Sequence, residues 1–263
     1  MTTQLASENR QSDGFLAWLL AKGPRERAVK DAADKLLMSM NTTAKCRYNA
    51  SVRLQHKARF AFFTTTFLAL GLVFIPLMQN AGVQLAFQSN VLNMMQIFLA
   101  VAVLVFSVII GTARYEVRAT QLNECGDKLK ELIRELDKER EHHPYGVIPP
   151  DRLNDFQQRY SDIVRDVENH TRNDYRFATL EMVRDYYVSG LPRMRLYWAA
   201  HATRLLGFVL PLTLMLIEVL FITDMMGASE VFTRFLTGRA VGDHLSVPVQ
   251  PSGLSRDILL PAR

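Results

Sequence analysis

The sequence predicts an all-α integral membrane protein: a transmembrane helical hairpin, a cytosolic helical stalk resembling a coiled coil, and a third transmembrane helix. Three observations carry this prediction. No Lys, Arg, Asp, Glu or His occurs between Arg59 and Arg114, residues 205–223 form a second apolar run, and the charged regions carry apolar residues three or four apart. The average composition, 49% hydrophobic and 22% charged, suits a soluble globule, but such a protein disperses its apolar residues along the chain.

The uncharged block is too long for one membrane crossing. A spanning helix needs about 20 apolar residues, so the block divides into 61–78, a polar connector at 79–90, and 91–113. The alternative is a pair of helices buried in a soluble core, but it requires partners that cover every face of both helices. We therefore predict a transmembrane hairpin over residues 61–113.

Basic residues flank this hairpin on one side only. Those before it are Lys45, Arg47, Arg53, Lys57 and Arg59, and those after it are Arg114 and Arg118. The connector carries no charge, and basic loops stay in the cytoplasm. We therefore expect residues 1–60 and the stalk to be cytoplasmic and the connector to face outward.

The charged regions on both sides of the hairpin predict helices. Residues 1–60 are interpreted as an amphipathic helical region, with Val29, Ala32, Leu36 and Leu37 at helical spacing. Residues 114–204 hold the stalk. Its outgoing stripe contains Leu122, Cys125, Leu129, Leu132, Ile133 and Leu136, and its returning stripe contains Leu153, Phe156, Tyr160, Ile163, Val164 and Val167. The break "PYGVIPP" between them predicts an antiparallel helical hairpin, and its stripes can pack within one chain or between subunits.

The stretch "ENHTRNDY" at 168–175 predicts a corner. Thr171, Asn173 and Asp174 can each cap a helix that begins near Tyr175. His170 with Asp174 suggests a metal site or a proton relay, but no third ligand lies at a helical or turn spacing nearby. The sequence thus favours a structural corner.

The late apolar run at 205–223 predicts a third transmembrane helix, and basic residues again precede it. Pro211 would kink this helix, and Glu218 would lie inside the bilayer, where a carboxylate costs a few kcal/mol. A re-entrant segment or an interfacial helix are the alternatives. Residues 224–263 predict a mostly disordered tail.

The sequence contains no catalytic constellation, and we expect neither an enzyme nor a cofactor. It has no phosphate-binding glycine loop, no nucleophile elbow and no paired-histidine zinc motif. Cys46 and Cys125 are expected to be buried, reduced thiols on the cytosolic side. The net charge of +5 arises close to the membrane, which favours anionic lipid headgroups over nucleic acid as a partner.

Several polar residues lie within the predicted spans. They suit either the wall of a pore or hydrogen bonds between helices, and both readings stay open. They are Thr64, Thr65, Thr66, Asn93, Gln96, Ser107 and Glu218.

Three stretches resemble the SLATT family, the two-transmembrane effectors that associate with SMODS and SLOG genes, and most of all its fifth subgroup. They are "KCRYNASVRLQHKARF", "YEVRATQLNECGDKLKELIRELD" and "YSDIVRDVENHTRNDY", within residues 40–180. The most specific matching residues are Arg47, Tyr48, Asn49, Leu122, Cys125, Asn169, His170, Asp174 and Tyr175.

This resemblance implies an effector of a prokaryotic anti-phage system. Such a protein would form a homo-oligomer and open a pore, or disrupt the inner membrane, when a partner senses phage. Members of the subgroup are often encoded beside a reverse transcriptase. The alternatives are a non-enzymatic scaffold that anchors such a partner, and a small transporter, which the lack of repeats and of charges in the first two spans disfavours.

Overall fold

The structure, a computed structural model, describes residues 24–29, 31–143 and 147–236. Most of the N-terminal region before the first helix and most of the predicted disordered tail lie outside these residues. Described elements are β1 (Arg25–Glu26), α1 (Ala32–Asn80), α2 (Ser89–Ala113), α3 (Tyr115–His142), α4 (Pro150–Arg165), α5 (Arg172–Glu181), β2 (Tyr186–Tyr187), α6 (Gly190–Leu206), α7 (Val209–Met225) and α8 (Thr233–Leu236). The two short strands pair antiparallel. The predicted all-α fold class is confirmed.

Helix α1 runs without a break from the stalk to the connector. Its 49 residues extend about 74 Å at 1.5 Å per residue. The helix begins at Ala32, and its stalk half buries Ala33, Leu37 and Met40. The predicted helix was wrong at its start, because Val29 precedes the helix; Leu36 and Leu37 of the predicted stripe pack with Leu132 and Leu136 of α3.

Helices α1 and α2 form the hairpin that the charge-free block predicts. Both α1 and the stretch Ser89–His142 are long and apolar enough to cross a membrane. Leu68 and Ile75 of α1 pack against Leu92 and Leu99 of α2. At the stalk end, α2 meets α3 at Arg114, whose left-handed backbone (φ 44°, ψ 43°) makes the single break between them.

The stalk contains three helices rather than two. The predicted contact between outgoing and returning helices is present, since Leu132 and Leu136 pack with Phe156. Leu129 is buried in a neighbouring cluster with Tyr160 and Ile163 at its edge. Helix α1 runs along α3 and contributes the remaining wall of both clusters. The predicted stripes are therefore covered within one chain.

The third apolar segment is broken near its start. Helices α6 and α7 meet at Gly207 with a bend of 54°. Pro211 lies in the first turn of α7, where its missing N–H would have no helical partner in any case. The helix starts later and ends later than the predicted 205–223.

Helix α7 runs beside the membrane half of α1 over its whole length. At the stalk end, Phe208 contacts Phe60 edge to face with a centroid distance of 4.9 Å. At the connector end, Phe221 stacks on Phe87 at 4.8 Å. The carbonyl of Met225 accepts a hydrogen bond from the connector backbone. The described start of the tail therefore lies at the connector end of the molecule.

Candidate functional site

The residues of the family resemblance lie on α1, α3 and the corner that leads into α5. We call this region, which contains residues 47–49, 122–125 and 169–175, the junction. Arg47 lies on α1 and is 1% exposed. Its guanidinium donates hydrogen bonds to the carbonyl of Val164, at 3.5 Å, and to the carbonyl of Glu168. These carbonyls lie in and just after the last turn of α4, where helix carbonyls lack partners and attract a cation. Arg47 thus attaches the end of α4 to α1.

Asp174 is the second centre of the junction. It completes a capping box with Thr171, so α5 begins at Arg172 and not near Tyr175. Its carboxylate also accepts two hydrogen bonds from Arg53, at 2.9 and 3.0 Å. Asp174 is 1% exposed, and removing one member of a buried ion pair leaves an uncompensated charge. The corner is thereby anchored to α1.

Tyr48 of α1 packs directly against Gly126 of α3 at the junction. A Cβ atom on Gly126 would lie 2.8 Å from Cζ of Tyr48, so a larger residue here would force the Tyr48 ring to shift. The Tyr48 hydroxyl donates a 2.6 Å hydrogen bond to Asp127. Burial and this hydrogen bond raise the pKa of Tyr48 well above its usual value, which keeps the phenol protonated.

The remaining junction residues are structural in their contacts. Leu122 is fully buried against α1. Asn49 donates to the Asp174 carbonyl at 3.5 Å, and the side-chain oxygen of Asn169 accepts from the backbone of His170 at 3.0 Å. Tyr175 contacts Tyr186 edge to face at 6.1 Å. These contacts close the corner.

Both cysteines are buried free thiols, as predicted. Burial raises the pKa of Cys46 to about 12, with a smaller contribution from Asp174. Burial also raises the pKa of Cys125, whose Sγ donates to the Ile163 carbonyl at 3.6 Å. A thiol that stays protonated is a poor nucleophile and a poor metal ligand.

The predicted pair His170 and Asp174 does not gather further ligands. Across residues 24–29, 31–143 and 147–236, no three His, Cys, Asp or Glu side chains lie close enough to share a metal ion. Burial, followed by the charge of Arg47, lowers the pKa of His170.

Positive charge accumulates on the membrane side of the junction. Burial and the neighbouring guanidinium groups of Arg53 and Arg118 lower the pKa of Lys57. Arg118 itself is paired with Glu168 at 2.7 Å. The level at which the stalk enters the predicted bilayer is therefore cationic.

The polar residues of the spans do not share one face in a single chain. Thr64 is buried between α1 and α7, with its hydroxyl 3.6 Å from the sulfur of Met215. Thr65 is half-buried and Thr66 is exposed, and both donate to backbone carbonyls four residues earlier. Such bonds satisfy the hydroxyl within the helix.

The second span divides in the same way. Gln96 donates a 2.8 Å hydrogen bond to Gln79 of α1, so this amide joins the two helices of the hairpin. Asn93 and Ser107 are exposed on α2 in the single chain. The Ser107 hydroxyl donates to the Val103 carbonyl.

Glu218 is buried between α7 and α1, 1% exposed, and its carboxyl group packs against the backbone at Gly71. A Cβ atom on Gly71 would lie 1.6 Å from Oε1 of Glu218. No described side chain hydrogen-bonds to this carboxyl group. Glycine in a membrane helix often permits such close contact.

The sequence analysis missed several residues that make close contacts between helices. Gly71, Gln79 and Gly126 were not singled out, and Arg53 counted only as a flanking charge. The available signal was an isolated glycine inside a helical pattern, which often marks a close approach of another element.

Comparison with known proteins assigns the chain to a family. Residues 29–223 match the SMODS and SLOG-associating 2TM effector domain family 5. Neither the curated proteins nor the solved structures contain a significant match. The matched range includes the junction, the hairpin and nearly all of α7, so the third apolar segment belongs to the family's domain. The chain is therefore a member of the SLATT effector family, in its fifth subgroup.

Proposed function

We propose that the protein is a non-enzymatic membrane effector of a prokaryotic conflict system. A partner, such as a reverse transcriptase or another sensor encoded nearby, triggers it to oligomerise. The oligomer then permeabilises the inner membrane and causes growth arrest or death. The observation that carries this proposal is an uncovered face of α2.

This outer α2 face lies beside the stripe that packs on α1 and is uncovered in the single chain. It comprises Asn93, Ile97, Ala100, Leu104, Ser107 and Gly111, all exposed in the single chain. Their spacing alternates between four and three residues, the heptad pattern of one helix packing on another. Small residues at three of the six positions allow a second helix to approach closely. The face therefore fits the α2 helix of a second copy.

Two details support a contact between copies. A Cβ atom on Gly111 would meet nothing within 4 Å, so the space beside it is open. Ile97 and Leu104 are 66% and 63% exposed. Without an aqueous phase to drive association, packing and interhelical hydrogen bonds decide which faces pair in a bilayer. Asn93 and Ser107 would then lie at or beside the centre of the assembly.

The continuity of the helices explains how a signal in the stalk reaches the spans. Helix α1 enters the membrane region without a break, and α3 joins α2 through one residue. A partner that shifts the stalk helices therefore shifts both helices of the hairpin. This coupling requires a displacement and no chemical reaction.

The test uses Gly111→Leu, which fills the open space on the outer α2 face. Val105→Leu is the matched control, because Val105 is also exposed on α2 but on another face. In bacteria producing the protein at high level, we expect the wild type and the control to depolarise the membrane. Gly111→Leu should insert but leave the potential intact.

The membrane potential is followed with potential-sensitive dyes, oligomers are detected by cross-linking, and insertion is checked by membrane fractionation. If Gly111→Leu depolarises the membrane as the wild type does, the outer α2 face is not the interface of the pore. If the wild type oligomerises with its activated partner and the potential never changes, the scaffold alternative replaces the pore.

A further inference from the structure

We infer that the protein has a binding site for one glycerophospholipid with an anionic headgroup. The site is a groove of 610 Å³ between the stalk end of the first span and the bend that joins α6 to α7. Its volume lies in the range of about 300–1,000 Å³ that is usual for small-ligand sites. We call it the bend groove. The inference is independent of pore formation.

The walls of the bend groove divide into two parts. Its apolar part consists of Phe60, Phe63, Leu205, Phe208 and Leu212. They lie at the start of the membrane half of α1 and on both sides of the bend between α6 and α7, at the depth expected for acyl chains. The apolar wall thus suits the hydrocarbon of a lipid.

The polar part of the bend groove is entirely basic. It consists of His56, Arg59, His201 and Arg204, and no acid lines the groove. Among residues 31–143 and 147–236, neither arginine forms an ion pair, whereas Arg53 does. Two unpaired guanidinium groups at the end of an apolar groove match a phosphate, which accepts their hydrogen bonds in pairs.

The acidic residues near Arg204 already form ion pairs with other residues. On its other side, Arg204 borders a small pocket that also contains Asp174 and Glu181. Asp174 is paired with Arg53, and Glu181 is paired with Lys45 at 2.6 Å. The Arg204 guanidinium lies 5.8 Å from the ring centre of Phe177, which holds it beside the groove. An external anion is the remaining partner for its charge.

The position of the basic part selects a lipid over a free anion. It adjoins Phe60, at the boundary where the charge-free block begins. A phospholipid in the stalk-side leaflet has its phosphate at this level and its chains below it. Because the groove joins α1 to the bend, a bound lipid would hold α7 against the hairpin.

The test measures lipid binding to the full chain in detergent by native mass spectrometry. The probes are phosphatidylglycerol and phosphatidylcholine with the same acyl chains, and soluble glycerol phosphate competes for the site. The test variant is R59Q/R204Q. The matched control is R193Q/R195Q, which removes two exposed arginines of α6 that do not line the groove.

We expect one phosphatidylglycerol to bind in preference to phosphatidylcholine. R59Q/R204Q should weaken this binding by roughly tenfold or more, and the control should not. R59K/R204K, which keeps the charge, should retain most of the preference. Leu212→Trp, which fills the apolar part, should also weaken lipid binding while the charges remain.

Three results would overturn the inference. Equal binding of the two lipids to the wild type would show that the site does not distinguish their headgroups. An equal loss in the control would show only a general attraction to basic surfaces. Displacement by soluble glycerol phosphate would assign the groove to a free phosphate compound and not to a lipid.

Discussion

Replacing Gly71 with alanine tests whether α7 packs on α1 inside the membrane. The new Cβ atom would lie 1.6 Å from Oε1, 2.7 Å from Cδ and 3.1 Å from Cγ of Glu218. The carboxyl end can rotate away, but Cγ must also shift by a few tenths of an ångström, and the burial of Glu218 leaves its side chain little room to move. Overpacking of this kind costs about 1–3 kcal/mol.

The matched control is Gly111→Ala. Alanine favours the helix over glycine by about 1 kcal/mol at either position, so this effect cancels when the two variants are compared. At Gly111 the added methyl group meets nothing within 4 Å. We therefore expect Gly71→Ala to be less stable than Gly111→Ala by about 1–3 kcal/mol.

A double-mutant cycle with Glu218→Ala assigns the difference to this contact. In the Glu218→Ala protein the clash is absent, so Gly71→Ala should no longer destabilise, and the two changes should couple by about 1–3 kcal/mol. The assay is reversible unfolding in mixed micelles of SDS, followed by circular dichroism. Equal stability of Gly71→Ala and Gly111→Ala would refute the packing of α7 on α1 and favour an interfacial or re-entrant segment.

Three further outcomes follow from the structure. Single cysteines introduced at Gln84 and Glu230 should both react with an impermeant maleimide from outside, because the connector and the described start of the tail lie at the same end of the molecule. Labelling of the two positions from opposite sides would show that α7 does not span the membrane. Native Cys46 should resist alkylation at pH 8, because burial raises its pKa to about 12 and the reactive thiolate forms only as the pH approaches that value. Fast alkylation of the folded protein would contradict its burial. Changing Leu129 and Leu136 to Asp places charge in the core of the stalk and should unfold it, which a loss of helicity and of partner binding would show. Membrane insertion should persist. A normally folded stalk would mean that these leucines are not core residues.

The sequence predicted the elements better than their contacts. The charge-free block, the stalk stripe from Leu122 to Leu136 and the corner at Thr171 were all readable as local patterns. The start of the first helix was wrong, because Val29 continues the apolar spacing although the helix begins only at Ala32. The junction residues were grouped only through family resemblance, since nothing local connects Arg47 with a carbonyl 121 residues away.

The number of apolar segments and the helical class are properties of the chain alone. They depend on the length of consecutive residues that tolerate hydrocarbon and on the period at which apolar residues recur, and neither requires a partner. The pairing of helices depends on their rotation and on contacts between distant residues. Gly71 meets Glu218, and the bend at Gly207 opens a groove beside Phe60, only because α7 returns along α1. These positions were decided by tertiary packing, because several rotations of an apolar helix satisfy the same local pattern.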